Sequence, residues 1–238
     1  MRSDSRVPVT AQIASDAQRV FDIVCDGGVA LIPLDVAYAM VARTPAAVRR
    51  VYEAKGREFG KPMGLVGGQQ AHAALHVLDD MRRAMVHAIT VEHDLPLSVV
   101  APYNDQHAYF AGLDLFVREN STREGTLNLL LNAGPLRTQL AHLCWTHGVA
   151  MVGTSANLSL TGSRFSVPAI DKAIVDVCDV VIDDGVSRYA NDEGRSSTII
   201  DFGSLRLLRY GVCGEAILQI LSSRFGLSLD AKAPNLPH

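Results

Sequence analysis

Apolar runs of strand length alternate along this chain with stretches of helical periodicity, and that alternation constrains the fold more than any other feature. Residues 11 to 26 place Ile13, Val20, Phe21 and Val24 on one helical face, which ends at Gly27-Gly28, where the backbone can turn left-handed. Val29 to Pro33 has the length of a buried strand. Thr44-Pro45 reads as an N-cap followed by a proline in the first turn, opening a helix to about Lys55. Strands are expected at 63–66 and 97–101, with helical patterns over 69–90 between them, and residues 102–125 are the least regular part. A strand at 127–131, a helix at 135–147 and a strand at 149–152 follow, the last running into Gly153-Thr154-Ser155-Ala156-Asn157. A helix at 168–178, strands at 180–182, 197–201 and 205–208, and a helix at 214–223 complete the pattern. Each apolar sheet face needs helices packed on it, so the expected class is α/β (or α+β). No repeat or linker divides the chain, so 1–238 is expected to be one domain, with its core over about 14–215 and a helix and frayed tail over 216–238.

Of the 238 residues, 48% are hydrophobic and 20% are charged, a balance that excludes disorder. A net charge of −3 argues against an overall basic coat for nucleic acid or an acidic membrane, while a local basic cleft stays possible. The longest apolar stretches, such as Val29 to Leu34, fall far short of the roughly 18 residues that span a bilayer. No basic-then-apolar leader pattern opens the chain, so the expected location is cytoplasmic. Cys25, Cys144, Cys178 and Cys213 form no C-x-x-C pair, and each is read as a buried thiol.

Several familiar motifs fail. The segment Gly56 to Pro62 is one residue short of a P-loop and ends in proline, no G-x-G-x-x-G occurs, and Gly153-Thr154-Ser155-Ala156-Asn157 lacks the closing glycine of a hydrolase elbow. His72 and His76 lie one helical turn apart without a carboxylate nearby, so the reading is a solvated helix face and no metal site. Three cations remain within seven residues, Lys55, Arg57 and Lys61, and they suit either the neutralisation of a polyphosphate or a solvated helix end. The run from Thr154 to Ser159 offers hydroxyls, an amide and backbone N–H groups that suit phosphate or ribose oxygens, or a plain Asx turn. Ser196-Ser197-Thr198 and Arg209-Tyr210-Gly211 add two further hydroxyl and cation sites.

In their order along the chain these segments resemble the YrdC-like family, over about residues 14–215. Gly27 to Pro33 is similar to the family's opening strand, Lys55-Gly56-Arg57 with Lys61-Pro62 to its K-x-R and K-P elements, and Ser155-Ala156-Asn157 to its S-x-N element. Ser197 to Asp201 and Leu208 to Gly211 resemble its closing S-T-[IV]-[IV]-D and L-R-x-G. The resemblance implies a twisted mixed sheet with flanking helices around a large basic cavity that holds ATP. It also implies a reaction, the synthesis of threonylcarbamoyl-AMP for tRNA modification. The amine of threonine captures bicarbonate as a carbamate, whose carboxylate attacks the α-phosphate of ATP and expels pyrophosphate, usually with Mg2+. By this carry-over Lys55, Arg57, Ser155 and Asn157 serve catalysis, and Lys61, Thr154, Ser197, Thr198 and Arg209 hold the nucleotide. Such chemistry asks mainly for positioning and charge neutralisation, which these residue types supply.

The departures fall on the acceptor side, assigned by the resemblance to Leu34, Val36, Tyr38 and Leu130. The family's P-T-D-T-x-Y-G-L reads here Pro33-Leu34-Asp35-Val36-Ala37-Tyr38-Ala39-Met40, which loses two hydroxyls. Its V-R-[IV]-P aligns with Leu129 to Asn132, placing Leu130 where an arginine is expected. Arg118 and Arg123 lie upstream, on a segment that could swing in. The G-P-[LV]-T element becomes Leu95-Pro96-Leu97-Ser98. Because a site built to hydrogen-bond a hydroxyl loses its discrimination with those partners, three readings stand. They are a divergent threonylcarbamoyl-AMP synthase, a paralogue acting on a different and more apolar amine, and a nucleotide- or RNA-binding module without catalysis. A transferase or RNA partner remains open.

Overall fold

A computed structural model describes residues 10–59 and 61–230; the tail from Ala231, expected to fray, lies outside the described residues. Eight α-helices and ten strands are described, and the strands form one mixed sheet. In chain order they begin with α1 (Ala11–Cys25), β1 (Ala30–Leu34), β2 (Ala37–Ala42), α2 (Pro45–Ala54), β3 (Gly64–Leu65), α3 (Gln69–Leu75) and α4 (Asp80–His87). Next come β4 (Leu97–Pro102), α5 (Leu115–Glu119), β5 (Thr122–Arg123), β6 (Thr126–Leu131), α6 (Pro135–Thr146) and β7 (Val152–Ser155). The series closes with α7 (Lys172–Val175), β8 (Val180–Val181), β9 (Ile199–Asp201), β10 (Arg206–Arg209) and α8 (Gly214–Phe225). Across the sheet the order is β10-β9-β4-β6-β3-β7-β2-β1-β8, with β5 added on β6.

The centre of the sheet is covered on both faces, and residue alternation sorts its side chains between them. Leu31, Tyr38 and Met40 join Val48, Val51 and Tyr52 of α2 in one core, with Leu127, Leu129 and Leu131 of β6. Ile32, Leu34, Ala39 and Val41 join Val20, Phe21 and Val24 of α1 and Leu136 and Leu140 of α6 in the other. Sequence and structure agree at the start of α2. Thr44 caps α2 by accepting from the Ala47 N–H at 3.3 Å, with Pro45 in the first turn.

Several expectations are corrected. A whole strand, β2, occupies residues to which the sequence assigns no element, and all six of its residues are buried. The helical pattern over 69–90 breaks into α3, α4 and a π-helical turn at Ala88–Glu92. The strand expected at 149–152 is β7 at Val152–Ser155, so Thr154 and Ser155 stand in the sheet and not in the loop after it. The helix expected at 168–178 shrinks to a 3-10 turn and the four-residue α7. Residues 102–125 contain α5 and β5.

His72 and His76 are buried, not solvated. Their Nδ1 atoms lie 2.9 Å apart, and His76 Nε2 faces the Leu127 carbonyl at 3.2 Å. That carbonyl can only accept, so His76 carries its proton on Nε2 and accepts at Nδ1 from His72. Of the four cysteines Cys144 is fully buried, while the other three are partly so.

Candidate active site

On the α1/α6 face the helices leave part of the sheet uncovered, and the strands there carry small or polar side chains. The alternation that sends Leu97 and Val99 of β4 and Leu127, Leu129 and Leu131 of β6 into the opposite core turns Ser98, Asn128 and Leu130 toward this side. Together with Ala37 and Ala39 of β2 and Gly153, Thr154 and Ser155 of β7, they line an inner cavity of about 160 Å³. An outer cleft of about 370 Å³ shares Pro62, Asn128 and Ile199 with it and carries Arg123, Glu124, Asp201 and Arg206.

Three arginines line the inner cavity, Arg57, Arg137 and Arg209, and no carboxylate does among the described residues. Each guanidinium is fixed by neutral oxygens. Arg57 follows the α2 terminus, where Gly56 takes a φ of +55°, and donates to Thr154 Oγ1 at 2.9 Å and to the carbonyls of Lys61 and Pro62 at 3.2 and 3.0 Å. Its Nε is buried without a partner. Arg209, at the end of β10, donates to the Ser197 carbonyl at 3.0 Å and to Ser197 Oγ at 3.1 Å, and Ser197 Oγ lies 2.9 Å from Ser98 Oγ. Arg137, in the first turns of α6, reaches the carbonyls of Leu65 and Gly67 at 3.2 and 3.4 Å. Desolvation pulls the acidities of Arg137 and Arg209 to about 10, yet both stay cationic at neutral pH. Fixed cations without anions make the cavity a site of positive potential.

Gly211 keeps this wall closed. A Cβ there would come within 2.2 Å of the Ser196 carbonyl oxygen and 2.4 Å of the Ser197 carbonyl carbon, so only glycine lets residues 209–212 lie against 196–198.

The structure brings most of the expected residues together. Arg57, Thr154, Ser155, Ser197, Arg209, Leu34, Tyr38 and Leu130 line the inner cavity, while Lys55, Lys61, Asn157, Thr198 and Val36 are not on its wall. Lys55 is buried, and its Nζ donates to the carbonyls of Ser155 and of Asn157, the latter at 2.6 Å. Burial, with Arg57 adding to it, lowers the pKa of its ammonium to about 7. Two carbonyls need only two N–H groups, so the clamp survives loss of the proton. Asn157 is tied to Ser155 through a 2.5 Å hydrogen bond from Ser155 Oγ to its Oδ1. Lys61 contributes its carbonyl to Arg57 and to the Tyr52 hydroxyl. Thr198 donates to the Val212 carbonyl at 3.0 Å and accepts from Gly211 N–H. Val36 lies in the core at 0% exposure. Tyr38 has its hydroxyl 2.8 Å from the Gly185 carbonyl, and burial pushes that hydroxyl up to about 12. Arg118 donates to the Asp105 carbonyl, and Arg123 lines the outer cleft, so neither enters the inner cavity.

Arg137 and Asn128 escaped the sequence reading. Arg137 lies inside an amphipathic helix where a cation reads as solvated, and Asn128 inside an apolar strand; only the alternation of β6 pointed to the latter.

Magnesium, which the resemblance implies, has no resident cage. Among the described residues no group of three or more His, Cys, Asp or Glu could hold a metal ion, and the inner cavity wall offers no carboxylate.

Comparison with known proteins agrees with this architecture. The model of the Sua5/YciO/YrdC family, described as telomere recombination, matches residues 22–211. The chain belongs to that family. Among solved structures, a hypothetical protein of Streptococcus mutans superposes with a TM-score of 0.73 at 23% identity, over 89% of this chain and 93% of the other. Sua5 of P. abyssi complexed with L-threonine gives 0.69 at 20% identity, over 95% of this chain and 61% of that one, so this chain spans about three fifths of Sua5. YciO of E. coli gives 0.60 at 19% identity, over 84% and 90%. No curated protein matches. No helix among the described residues is long and apolar enough to cross a membrane.

Proposed function

We propose that the chain is an ATP-dependent nucleotidyltransferase of the threonylcarbamoyl-AMP synthase type, joining the carbamate of an amino acid or other small amine to AMP. One observation carries this reading: three arginines from distant parts of the sequence converge on one cavity that, among the described residues, holds no carboxylate. A protein of net charge −3 gathers such an uncompensated cluster at an electrostatic cost, and an anionic ligand offsets it. The membership in the Sua5/YciO/YrdC family supports it.

In this reading Arg57 with Thr154 and Ser155, and Arg209 with Ser197 and Ser98, take the phosphates of ATP. Lys55, Asn157 and Thr198 shape the walls that present them, and Lys61 does so through its carbonyl. Bicarbonate and the amine condense to a carbamate with loss of water. A carbamate oxygen then bonds to the α-phosphorus as the bond to the bridging oxygen of pyrophosphate breaks, and pyrophosphate carries away the negative charge. The guanidinium groups of Arg57 and Arg209 hold the triphosphate and stabilise the charge that develops on the leaving group. The side chains provide no metal cage, so no step is assigned to magnesium.

The test is pyrophosphate release from ATP and bicarbonate against the twenty amino acids and a panel of small amines, with product masses recorded. Release that needs both bicarbonate and an amine is expected. Turnover with threonine would make the product the precursor for tRNA modification, and turnover with another amine would place the chain in a different pathway. Bound ATP with no release across the panel would overturn the reading in favour of a binding module.

A further inference from the structure

Arg137 differs from the other two cavity arginines in its surroundings. Arg57 and Arg209 each bond a hydroxyl as well as carbonyls, the mixed set that suits phosphate oxygens. Arg137 bonds only the carbonyls of Leu65 and Gly67, both at long range, and is more than nine-tenths buried. A guanidinium has five N–H donors, and the two carbonyls engage one on each terminal nitrogen of Arg137. No carboxylate among the described residues lies within ion-pairing distance of it. It lines the inner cavity and a small hollow behind it, and Leu130 lines both. A buried, unpaired cation beside apolar side chains is costly unless an anion of matching shape completes it.

We propose that Arg137 is the specificity-determining anchor of the acceptor subsite: it takes the carboxylate of an α-amino acid whose apolar side chain lies against Leu130 and Leu34. A carboxylate fits the planar fork of a guanidinium bidentately. An apolar side chain suits walls that offer no hydroxyl, and the alkyl faces of Leu34 and Leu130 gain nothing from a hydroxylated one. The inference rests on the proposed reaction only for the chemistry after binding, so the two can fail separately.

The experiment measures calorimetric affinity of the full chain, saturated with a non-hydrolysable ATP analogue, for leucine, valine, methionine and threonine, and for the corresponding amides. Wild type is expected to bind an apolar amino acid at least tenfold more tightly than its amide and more tightly than threonine. R137M is expected to lose the preference for acid over amide while its affinity for the ATP analogue stays unchanged, and R137K is expected to keep part of the preference. Where R137M fails to fold, the acid-to-amide ratio of wild type and the R137K ratio decide the matter. Equal binding of acid and amide by wild type, no binding of any amino acid, an unchanged preference in folded R137M, or a loss of ATP-analogue affinity in its place would each overturn the inference. Binding that depends on Arg137 without pyrophosphate release would sink the proposed reaction and leave the anchor standing. Release with an undiminished preference in R137M would do the reverse.

Discussion

At the scale of single residues, the side chains that matter divide into those that face the ligand and those that hold the wall. Lys55 belongs to the second kind, because its ammonium spans two carbonyls of the Ser155 to Asn157 segment. Replacing it with methionine keeps the volume and orphans both carbonyls, at about 1–3 kcal/mol each. Lys55→Met should therefore lower the urea midpoint and depress pyrophosphate release through misplacement of Ser155, both read on the purified variant. Asn128 behaves in the opposite sense. Its Oδ1 is buried without a hydrogen-bond partner at the junction of cavity and cleft. Exchanging it for leucine removes an unsatisfied acceptor, so Asn128→Leu should leave stability unchanged or raise it by about 1 kcal/mol. The same exchange should weaken ligand binding, and parallel denaturation and calorimetry would show whether the two effects separate.

At the scale of elements, α3 is docked through a proton shared by two buried histidines. Burial, with Arg83 adding to it, lowers His72 to about 4, and burial, with His72 and Arg83 adding to it, lowers His76 to about 3. Unfolded, both titrate near 6.5, so below that value the unfolded chain binds more protons than the folded one. Stability is fully present above 6.5 and falls as pH drops toward 3–4, with a slope approaching about 1.4 kcal/mol per pH unit for each proton taken up. Urea titrations at pH 7 and pH 5 should show the loss, and the double variant His72→Leu/His76→Leu should flatten it. The same pair shows where sequence reading stops. One-turn spacing was visible, but the periodicity of a short helix does not say which face is covered when the sheet lies beside it. Strand β2 was missed for a related cause. Buried on both faces, Ala37 to Ala42 shows no polar alternation, and the turn before it is only Asp35-Val36, without glycine or proline to mark it. Thr44-Pro45, by contrast, announced α2 through local chemistry that tertiary packing did not override.

At the scale of the whole molecule, the site exists only because the sheet order brings remote segments side by side. Arg57 follows α2, Arg137 lies in α6 and Arg209 ends β10, and among the described residues the inner cavity wall holds no acid to offset them. Motifs near residues 57, 155, 197 and 209 were legible because each keeps a local pattern with a backbone reason, such as the close approach that Gly211 permits. Arg137 was not, since its meaning comes from β3 and β6 lying beneath it. A cluster gathered in this way repels itself in the free protein, and an anionic ligand that binds only the folded state stabilises it by mass action. ATP at about a hundred times its dissociation constant should thus add about 2.7 kcal/mol to the unfolding free energy. Arg209→Gln removes one phosphate-facing cation and keeps an amide that can still reach Ser197, so the ATP-induced increment should shrink by about 1.4 kcal/mol or more, whatever the free protein's midpoint does. Thermal unfolding of both proteins with and without ATP decides this. An increment in Arg209→Gln equal to that of wild type would remove β10 from the nucleotide site and leave the phosphates to Arg57 and its β7 hydroxyls.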